Sequence, residues 1–79
     1  MTPLQLMDYI QKHCIDVRLM EYYVKLDRVI LSYTLNGTKY SMQFENISDI
    51  TTHQQAESIV QMIQANIEYH MKEQEQEKE

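Results

Sequence analysis

The stretch RVILSYTLNGTKYSMQFE, residues 28–45, decides the fold because it contains a local signal that fixes a strand pairing. At its centre lies Asn36-Gly37, flanked by alternating apolar residues. Both residue types tolerate the positive φ angles of a two-residue type I′ turn. The stretch is therefore predicted to form a β-hairpin in which Leu35 faces Thr38.

This turn sets the register of the hairpin and separates its two faces. The predicted apolar pairs are Val29 with Phe44, Leu31 with Met42 and Tyr33 with Tyr40. The pairs on the other face, which is mostly polar, are Arg28 with Glu45, Ile30 with Gln43, Ser32 with Ser41 and Thr34 with Lys39. A bulged three-residue loop would shift the pairing and place the apolar residues opposite polar ones, so the pattern favours the two-residue turn. Because an isolated hairpin is marginally stable, we expect its apolar face to be covered.

Length and composition indicate one small globular domain. The chain has 79 residues, of which 43% are hydrophobic and 24% charged, with a single glycine and a single proline. These values are typical of an ordered domain with few loops, although a chain of this size buries only a modest core. We expect a single α+β domain over residues 1–72, followed by an acidic, glutamine-rich tail over residues 73–79 that is either frayed or a helical extension.

The charge of the chain argues against direct binding of nucleic acid. The formal net charge is −5, and the tail EQEQEKE carries four of the twelve acidic residues. Binding to a phosphate backbone depends on clustered lysine and arginine, which this sequence lacks.

The sequence also predicts a cytoplasmic protein that does not interact with a membrane. Cys14 is the single cysteine, so no intrachain disulfide is expected, as in proteins of a reducing compartment. The segment MTPLQLMDYIQKH has neither a basic start nor a continuous apolar run, and no run of about 18 apolar residues occurs.

A first helix is predicted to begin after Thr2. Thr2 has the residue type of an N-cap, Pro3 suits the first helical position, and Gln5 completes a capping box. The helix should run to about Cys14, with one apolar stripe that docks on the core. The stripe consists of Leu6, Met7, Ile10 and Cys14.

The segment from Asp16 to Asp27 allows two interpretations. As a strand, Val17 and Leu19 alternate in one phase while the apolar residues from Met20 onward alternate in the other, which a bulge near Met20-Glu21 would reconcile. As a helix, the segment would continue the first helix. The β-branched and aromatic residues favour the strand, which would pair with residues 28–35 through a turn near Lys25–Asp27.

A second helix is predicted after the connection ENISDITT, in which Ile47 and Ile50 should anchor the chain to the core. Thr52 and Gln55 again have the spacing of a capping box. The apolar stripe of this helix consists of Ala56, Ile59, Val60, Ile63, Ile67 and Met71. The predicted fold is therefore α-β-β-β-α, a three-stranded antiparallel meander covered on one face by two helices.

No catalytic, metal or cofactor motif is evident. His13 and Cys14 are adjacent, and neighbours on a helix point about 100° apart, so they do not form a nucleophile and base pair. We expect Cys14 to act as a small buried hydrophobe. His53 and Glu57 are spaced by one helical turn but lack a third ligand. His70 is expected at the rim of the core. The sequence therefore predicts a protein that is not an enzyme.

The surplus of aromatic and thioether side chains, six Tyr and six Met, favours a protein-binding role. Tyr22 and Tyr23 are adjacent, so on a strand one of them faces solvent. Together with an outward-facing Ile30, that tyrosine would form a binding patch. The alternative is a set of scattered apolar surface residues. The candidate interface comprises Tyr22, Tyr23, Ile30, Ser32 and Gln43.

The layout over residues 4–70 resembles a known class of small proteins. The hairpin LNGTKYSMQFE followed by a helix, the low glycine content and the Lys/Glu/Gln-rich end are similar to small acidic proteins of Gram-positive phages, including anti-CRISPR inhibitors of the type II nuclease. The resemblance implies an inhibitory protein binder, since those inhibitors occupy the DNA-reading surface of the nuclease with clustered carboxylates. Here the acidic residues alternate with basic ones, so no functional residue is carried over. The acidic residues are Asp16, Glu21, Asp27, Glu45 and Asp49, and the basic ones are Arg18, Lys25, Arg28 and Lys39.

Two functions follow from these observations. The first is a small non-enzymatic module, regulatory or inhibitory, that binds another protein through the open face or an edge strand of the sheet. The second is a structural module that assembles with another copy of itself through an edge strand or the second helix. In that case the predicted seam consists of Ile59, Ile63, Ile67 and His70.

Overall fold

The computed structural model describes residues 1–77, with side chains through Glu75, and has the predicted order of elements. Helix α1 spans Pro3–His13 and helix α2 spans His53–Glu77. Between them lie strands β1 (Val17–Tyr23), β2 (Arg28–Leu35) and β3 (Thr38–Glu45). The three strands form one antiparallel sheet in the order β1-β2-β3, which confirms the predicted meander. The part of the tail prediction that concerns Lys78 and Glu79 lies outside the described residues.

The hairpin has the predicted register at every position. Leu35 pairs with Thr38, and the ladder continues without a shift to Arg28 and Glu45. Asn36 and Gly37 have φ angles of 52° and 82°, as a two-residue I′ turn requires. The local chemistry of these two residues therefore fixes the centre of the fold.

Strand β1 confirms the strand interpretation of this segment, but its bulge is not where the sequence indicated. The register shifts between Val17 and Leu19 rather than near Met20-Glu21. The reason is that the Val17 N–H donates to the Cys14 carbonyl, 3.1 Å away, and Val17 is buried opposite Tyr33 immediately after α1 ends. The phase therefore changes at Arg18, and Met20 and Tyr22 share the inner face with Val17.

The turn between β1 and β2 is a single 3₁₀ turn, Val24–Leu26, that ends at Asp27 with a φ of 50°. A second 3₁₀ turn, Ile47–Asp49, connects β3 to α2. Asp27, at the end of the first of these turns, has a left-handed conformation. Aspartate tolerates this conformation better than most residues, so the turn between β1 and β2 forms without glycine. Val24 and Leu26 lie exposed in this turn rather than continuing the strand.

Both helices cover the same face of the sheet, which we call the inner face. Capping boxes begin both helices, formed by Thr2 with Gln5 and by Thr52 with Gln55. The core consists of apolar residues from both helices, strands β1 and β2, the end of α1 and the 3₁₀ turn before α2, and partly buried residues of β3 pack against it. Its members are Leu6, Ile10, Cys14, Val17, Val29, Leu31, Tyr33, Ile47, Ala56, Ile59, Val60, Ile63 and Ile67. Met71 was predicted in this stripe but is exposed, because it lies on the flank of α2 that faces α1, beyond the level of Gln64 where α1 ends.

The end of α2 is attached to the hairpin turn by one side chain. Gln74 Nε2 donates to the Leu35 carbonyl and to the Tyr40 hydroxyl, both at 3.0 Å. Asn36 Nδ2 donates to Gln74 Oε1 at 2.8 Å. One turn earlier, the His70 ring stacks on Tyr40 with centroids 3.9 Å apart. Helix α2 therefore runs antiparallel to β3 and extends as far as the turn.

Candidate functional site

The face of the sheet opposite the helices, which we call the outer face, is built from cross-strand rows. Residues alternate between the two faces along each strand, so every second residue of β1, β2 and β3 belongs to this surface. The rows, from the open end of the hairpin toward its turn, are Tyr23–Arg28–Glu45, Glu21–Ile30–Gln43, Leu19–Ser32–Ser41 and Thr34–Lys39.

Three apolar side chains lie on the part of this face formed by β1 and β2, and we call them the outer patch. They are Leu19, Tyr23 and Ile30. Ile30 is half-buried in the middle strand, whereas Leu19 and Tyr23 on β1 are 49% and 42% exposed. Each of these two lies diagonally across from Ile30, within reach of a shared contact. Glu21 lies between Leu19 and Tyr23 on β1 and directly opposite Ile30, so the patch is a group of three apolar side chains next to one carboxylate.

Charged groups surround the outer patch. Arg28 forms an ion pair with Glu45 across the β2–β3 ladder, with Nη2 and Oε1 2.8 Å apart. The Tyr23 hydroxyl donates to the Glu21 carboxylate, and this hydrogen bond raises the pKa of Tyr23 above its ordinary value. The surface thus combines exposed apolar side chains, including a tyrosine, with charged groups of both signs. Tyrosine and arginine are both enriched at protein interfaces.

The five predicted interface residues do not all lie on this surface. Tyr23, Ile30, Ser32 and Gln43 belong to the outer face, but Tyr22 does not. Tyr22 pairs with the fully buried Val29 and its hydroxyl donates to Asp27 Oδ1, which places it on the inner face. Including Tyr22 was therefore wrong, because of two adjacent strand residues only one can face outward. Ser32 is on the outer face yet only 6% exposed, so it offers little contact area.

Leu19 is the outer-face residue that sequence reasoning missed. The bulge at Arg18 puts Leu19 in phase with Glu21 and Tyr23 rather than with Val17. The signal was present in the sequence as the alternation of these three residues. It was misread because the bulge was predicted two to three residues too late.

The seam predicted on α2 is not free to bind a second copy. Ile59, Ile63 and Ile67 are 6%, 0% and 7% exposed because they pack on the sheet and on α1. His70 is half-buried against Tyr40, and its Nδ1 lies 3.3 Å from Glu73 Oε2. Any self-association through α2 has to use other residues of this helix.

Among the residues that the structure describes, Cys14 and the histidines at the end of α1 and at the start of α2 do not form a reactive or metal-binding group. Cys14 is buried, as predicted, with its Sγ 4.0 Å from the Val60 carbonyl. Tyr9 lies between two histidines, its ring centroid 4.3 Å from that of His13 and 6.0 Å from that of His53. Within residues 1–77, no three His, Cys, Asp or Glu side chains converge in a way that could hold a metal ion.

Over the part of the chain that the structure describes, neither helix has the length and apolar composition needed to cross a membrane.

Comparisons with protein-family models, with curated proteins and with solved structures found no match to this chain.

Proposed function

We propose that this protein is a small non-enzymatic module, of a regulatory or inhibitory kind, that binds another protein through its outer face. The observation that carries the proposal is the outer patch: Ile30 in the middle strand, with Leu19 and Tyr23 about half exposed beside it. Neither helix covers this face, since the core places both on the inner side. A partner would bury this apolar surface and gain the corresponding transfer free energy.

The charged side chains near the outer patch indicate what kind of surface the partner presents. Glu21 and Glu45 supply negative charge on the outer face, and Arg28 and Lys39 supply positive charge. Equal numbers of both signs favour a protein surface over a phosphate backbone, which requires an excess of cations. The partner we propose therefore presents an apolar side chain to the outer patch and charged groups of both signs around it.

Two features of the proposal rest on observations other than the outer patch. Its inhibitory form rests on the resemblance to small acidic phage proteins. Its place in the cytoplasm rests on the single cysteine, which is buried as a free thiol, a usage typical of reducing compartments.

The test is affinity capture from the native host, with recovered proteins identified by mass spectrometry. The change is Ile30→Lys, which places a charge at the centre of the outer patch opposite Glu21. We expect recovery of the partner to fall about tenfold or more, as when a central interface residue is lost. The matched control is Gln61→Lys, which adds the same charge at an exposed position of α2.

Circular dichroism would verify that both variants keep the fold. The partner is then confirmed at this face only if the control recovers it at the level of the unchanged protein. Equal recovery by Ile30→Lys and the unchanged protein would exclude the outer patch as the binding surface.

A further inference from the structure

Strand β3 is a long, regular and unpaired sheet edge. It spans eight residues, contains no proline, and keeps its register with β2 from end to end. The other edge, β1, is interrupted by the bulge between Val17 and Leu19. Proteins usually protect edge strands with bulges, prolines or covering segments, because free backbone groups pair readily with another strand. Of the two edges, β3 is the one that is open to pairing.

The residues whose backbone groups point away from β2 follow from the hairpin geometry. In a two-residue hairpin, the pair that closes the turn, here Leu35 and Thr38, is hydrogen-bonded. Hydrogen-bonded and non-bonded pairs then alternate along the ladder. The N–H and C=O groups directed outward therefore belong to the four exposed residues Lys39, Ser41, Gln43 and Glu45.

We infer that β3 pairs antiparallel with β3 of a second copy of this chain, giving a six-stranded sheet with Met42 on the two-fold axis. In this register Lys39 faces Glu45 of the second copy, and Ser41 faces Gln43 of the second copy. Every outward-directed residue thus faces another outward-directed residue, as backbone pairing requires. The interface is the same patch on both copies, as two-fold symmetry demands.

Charge selects this register over its neighbours. It places both lysine–glutamate pairs directly opposite each other on the outer face, where opposite charges stabilise a cross-strand pair. Glu45 is already 2.8 Å from Arg28 within its own chain, so Lys39 of the second copy would complete a three-residue charge cluster. A shift of two residues in either direction would instead place Lys39 opposite Gln43 or Ile47 and leave the charges unmatched.

The inner side of β3 supports the same register. Tyr40, Met42 and Phe44 pack on the core but remain only partly buried, since the sheet ends beside them. In the inferred pair, Tyr40 faces Phe44 of the second copy and Met42 faces its own equivalent. All the inner pairs are thus aromatic or apolar, and each side chain gains the cover it lacks in the single chain.

Helix α2 has an exposed apolar stripe on the flank that faces this edge. Gln64 contacts the last residue of α1, His13, and Val60 contacts Cys14, which follows it. Because α1 lies against β1, this flank of α2 faces away from β3. Met62 and Tyr69, 48% and 63% exposed, lie about 140–160° around the helix from Gln64. They therefore lie on the flank toward β3.

The stripe is centred at the height of the inferred axis. His70 lies over Tyr40, and Met42 is about 7 Å further along β3. That distance corresponds to about four to five helical residues, so Ala65 lies at the level of Met42. Because Met62 and Tyr69 are on either side of Ala65, an antiparallel copy of α2 would bring Met62 of one chain to Tyr69 of the other.

The test is the mass in solution, measured by sedimentation equilibrium from micromolar to millimolar concentrations. We expect the unchanged protein to reach twice the monomer mass of 9.5 kDa. Lys39→Glu and Glu45→Lys each replace two attractive pairs with two repulsive ones, so each should weaken the dimer about tenfold. Lys25→Glu, the same charge change in the exposed turn after β1, is the matched control and should dimerise like the unchanged protein.

Mixing the two variants gives the decisive result. In a mixed dimer, the carboxylate introduced at position 39 of one chain faces the ammonium group introduced at position 45 of the other. The unchanged Glu45 of the first chain likewise faces the unchanged Lys39 of the second, so both pairs are attractive and dimerisation should return on mixing.

Three results would overturn the inference. The first is an unchanged protein that stays monomeric at all concentrations. The second is a pair of single variants that dimerise as well as the unchanged protein. The third is a mixture that stays monomeric while circular dichroism shows both variants folded. Ile30 lies outside this interface, so none of these results depends on the proposed function.

Discussion

Asp27 and Ser48 join the two connections at one end of the sheet. The Ser48 hydroxyl donates to Asp27 Oδ2 at 2.6 Å, and the Ser48 N–H lies 3.0 and 3.1 Å from the two carboxylate oxygens. The Ile47 N–H donates to the Asp27 carbonyl at 3.2 Å. The turn between β1 and β2 is thereby tied to the 3₁₀ turn that leads from β3 into α2.

The lowered pKa of the Asp27 carboxylate predicts that the protein loses stability in acid. The hydrogen bond from the Ser48 hydroxyl is the main cause that holds the pKa of Asp27 below its ordinary value. A carboxylate with a lowered folded-state pKa stabilises the fold above its unfolded-state pKa, and the effect is lost as the pH falls through the folded-state pKa. We expect Asp27→Asn, whose amide does not titrate, to flatten the dependence of the urea midpoint on pH in this acidic range.

Ser48→Ala is the companion variant, because it removes the main donor and leaves the carboxylate in place. It should move the acid-dependent loss of stability to higher pH. Identical pH profiles for the unchanged protein and Asp27→Asn would show that this cluster does not contribute to acid stability.

Gly37→Ala should destabilise the hairpin through the backbone alone. Gly37 has a φ of 82°, and no atom beyond the adjacent residues lies within 4 Å of the position that a Cβ would occupy. The cost is therefore that of a left-handed conformation in an L-residue, about 1–2 kcal/mol of unfolding free energy. Urea unfolding would measure it, with Thr38→Ala as the control at a neighbouring exposed position. A loss in the control as large as that of Gly37→Ala would contradict this explanation.

Tyr33→Phe tests the polar contact between the sheet and α2. Tyr33 is fully buried, and its hydroxyl donates to Asn66 Oδ1. Removing this hydroxyl leaves the amide oxygen without its donor, which should lower the unfolding free energy by about 1–2 kcal/mol. A double-mutant cycle with Asn66→Ala would isolate the pair, since the second substitution should cost less in the Tyr33→Phe background. Strictly additive losses would show that the hydrogen bond contributes nothing.

Cys14 should react slowly with a disulfide reagent in the folded protein. Burial is the main cause that raises the pKa of this thiol, with the negative charge of Asp16 adding to it, so less of the reactive thiolate forms. We expect the native rate to be lower than the rate in denaturant by about tenfold or more. The absorbance of the released reagent measures both rates, with Cys14→Ser as the blank. Equal rates in the two conditions would mean that Cys14 is accessible.

Much of the fold could be predicted because its decisive signals are local. Asn36 and Gly37 fix the hairpin register over short range, and the two capping boxes mark the starts of the helices. The position of the bulge in β1, by contrast, is not determined by the residues next to it in the sequence. It depends on where α1 ends and on the need to bury Val17 opposite Tyr33, a contact between residues sixteen positions apart.

The candidate site was predicted correctly where the strand assignments were correct. Ile30 and Gln43 were placed on the outer face because the hairpin register was right. Leu19 was missed because it lies on β1, where the phase depends on the bulge. For the same reason the sequence did not show which of Tyr22 and Tyr23 faces outward. The stripe of Met62 and Tyr69 on α2 was also missed, since hydrophobic spacing shows which residues are apolar but not which of them the sheet leaves uncovered.

The attachment of Gln74 to the hairpin turn has a consequence for biosynthesis. Asn36 precedes Gln74 by 38 positions, so the ribosome completes the hairpin well before it completes the helix that covers it. During that interval Val29 and Leu31 lack the helix that covers them in the folded protein. A chain that stalls before residue 74 lacks the hydrogen bonds between Gln74 and the hairpin turn. The protein therefore acquires its complete native structure only after that residue has been added.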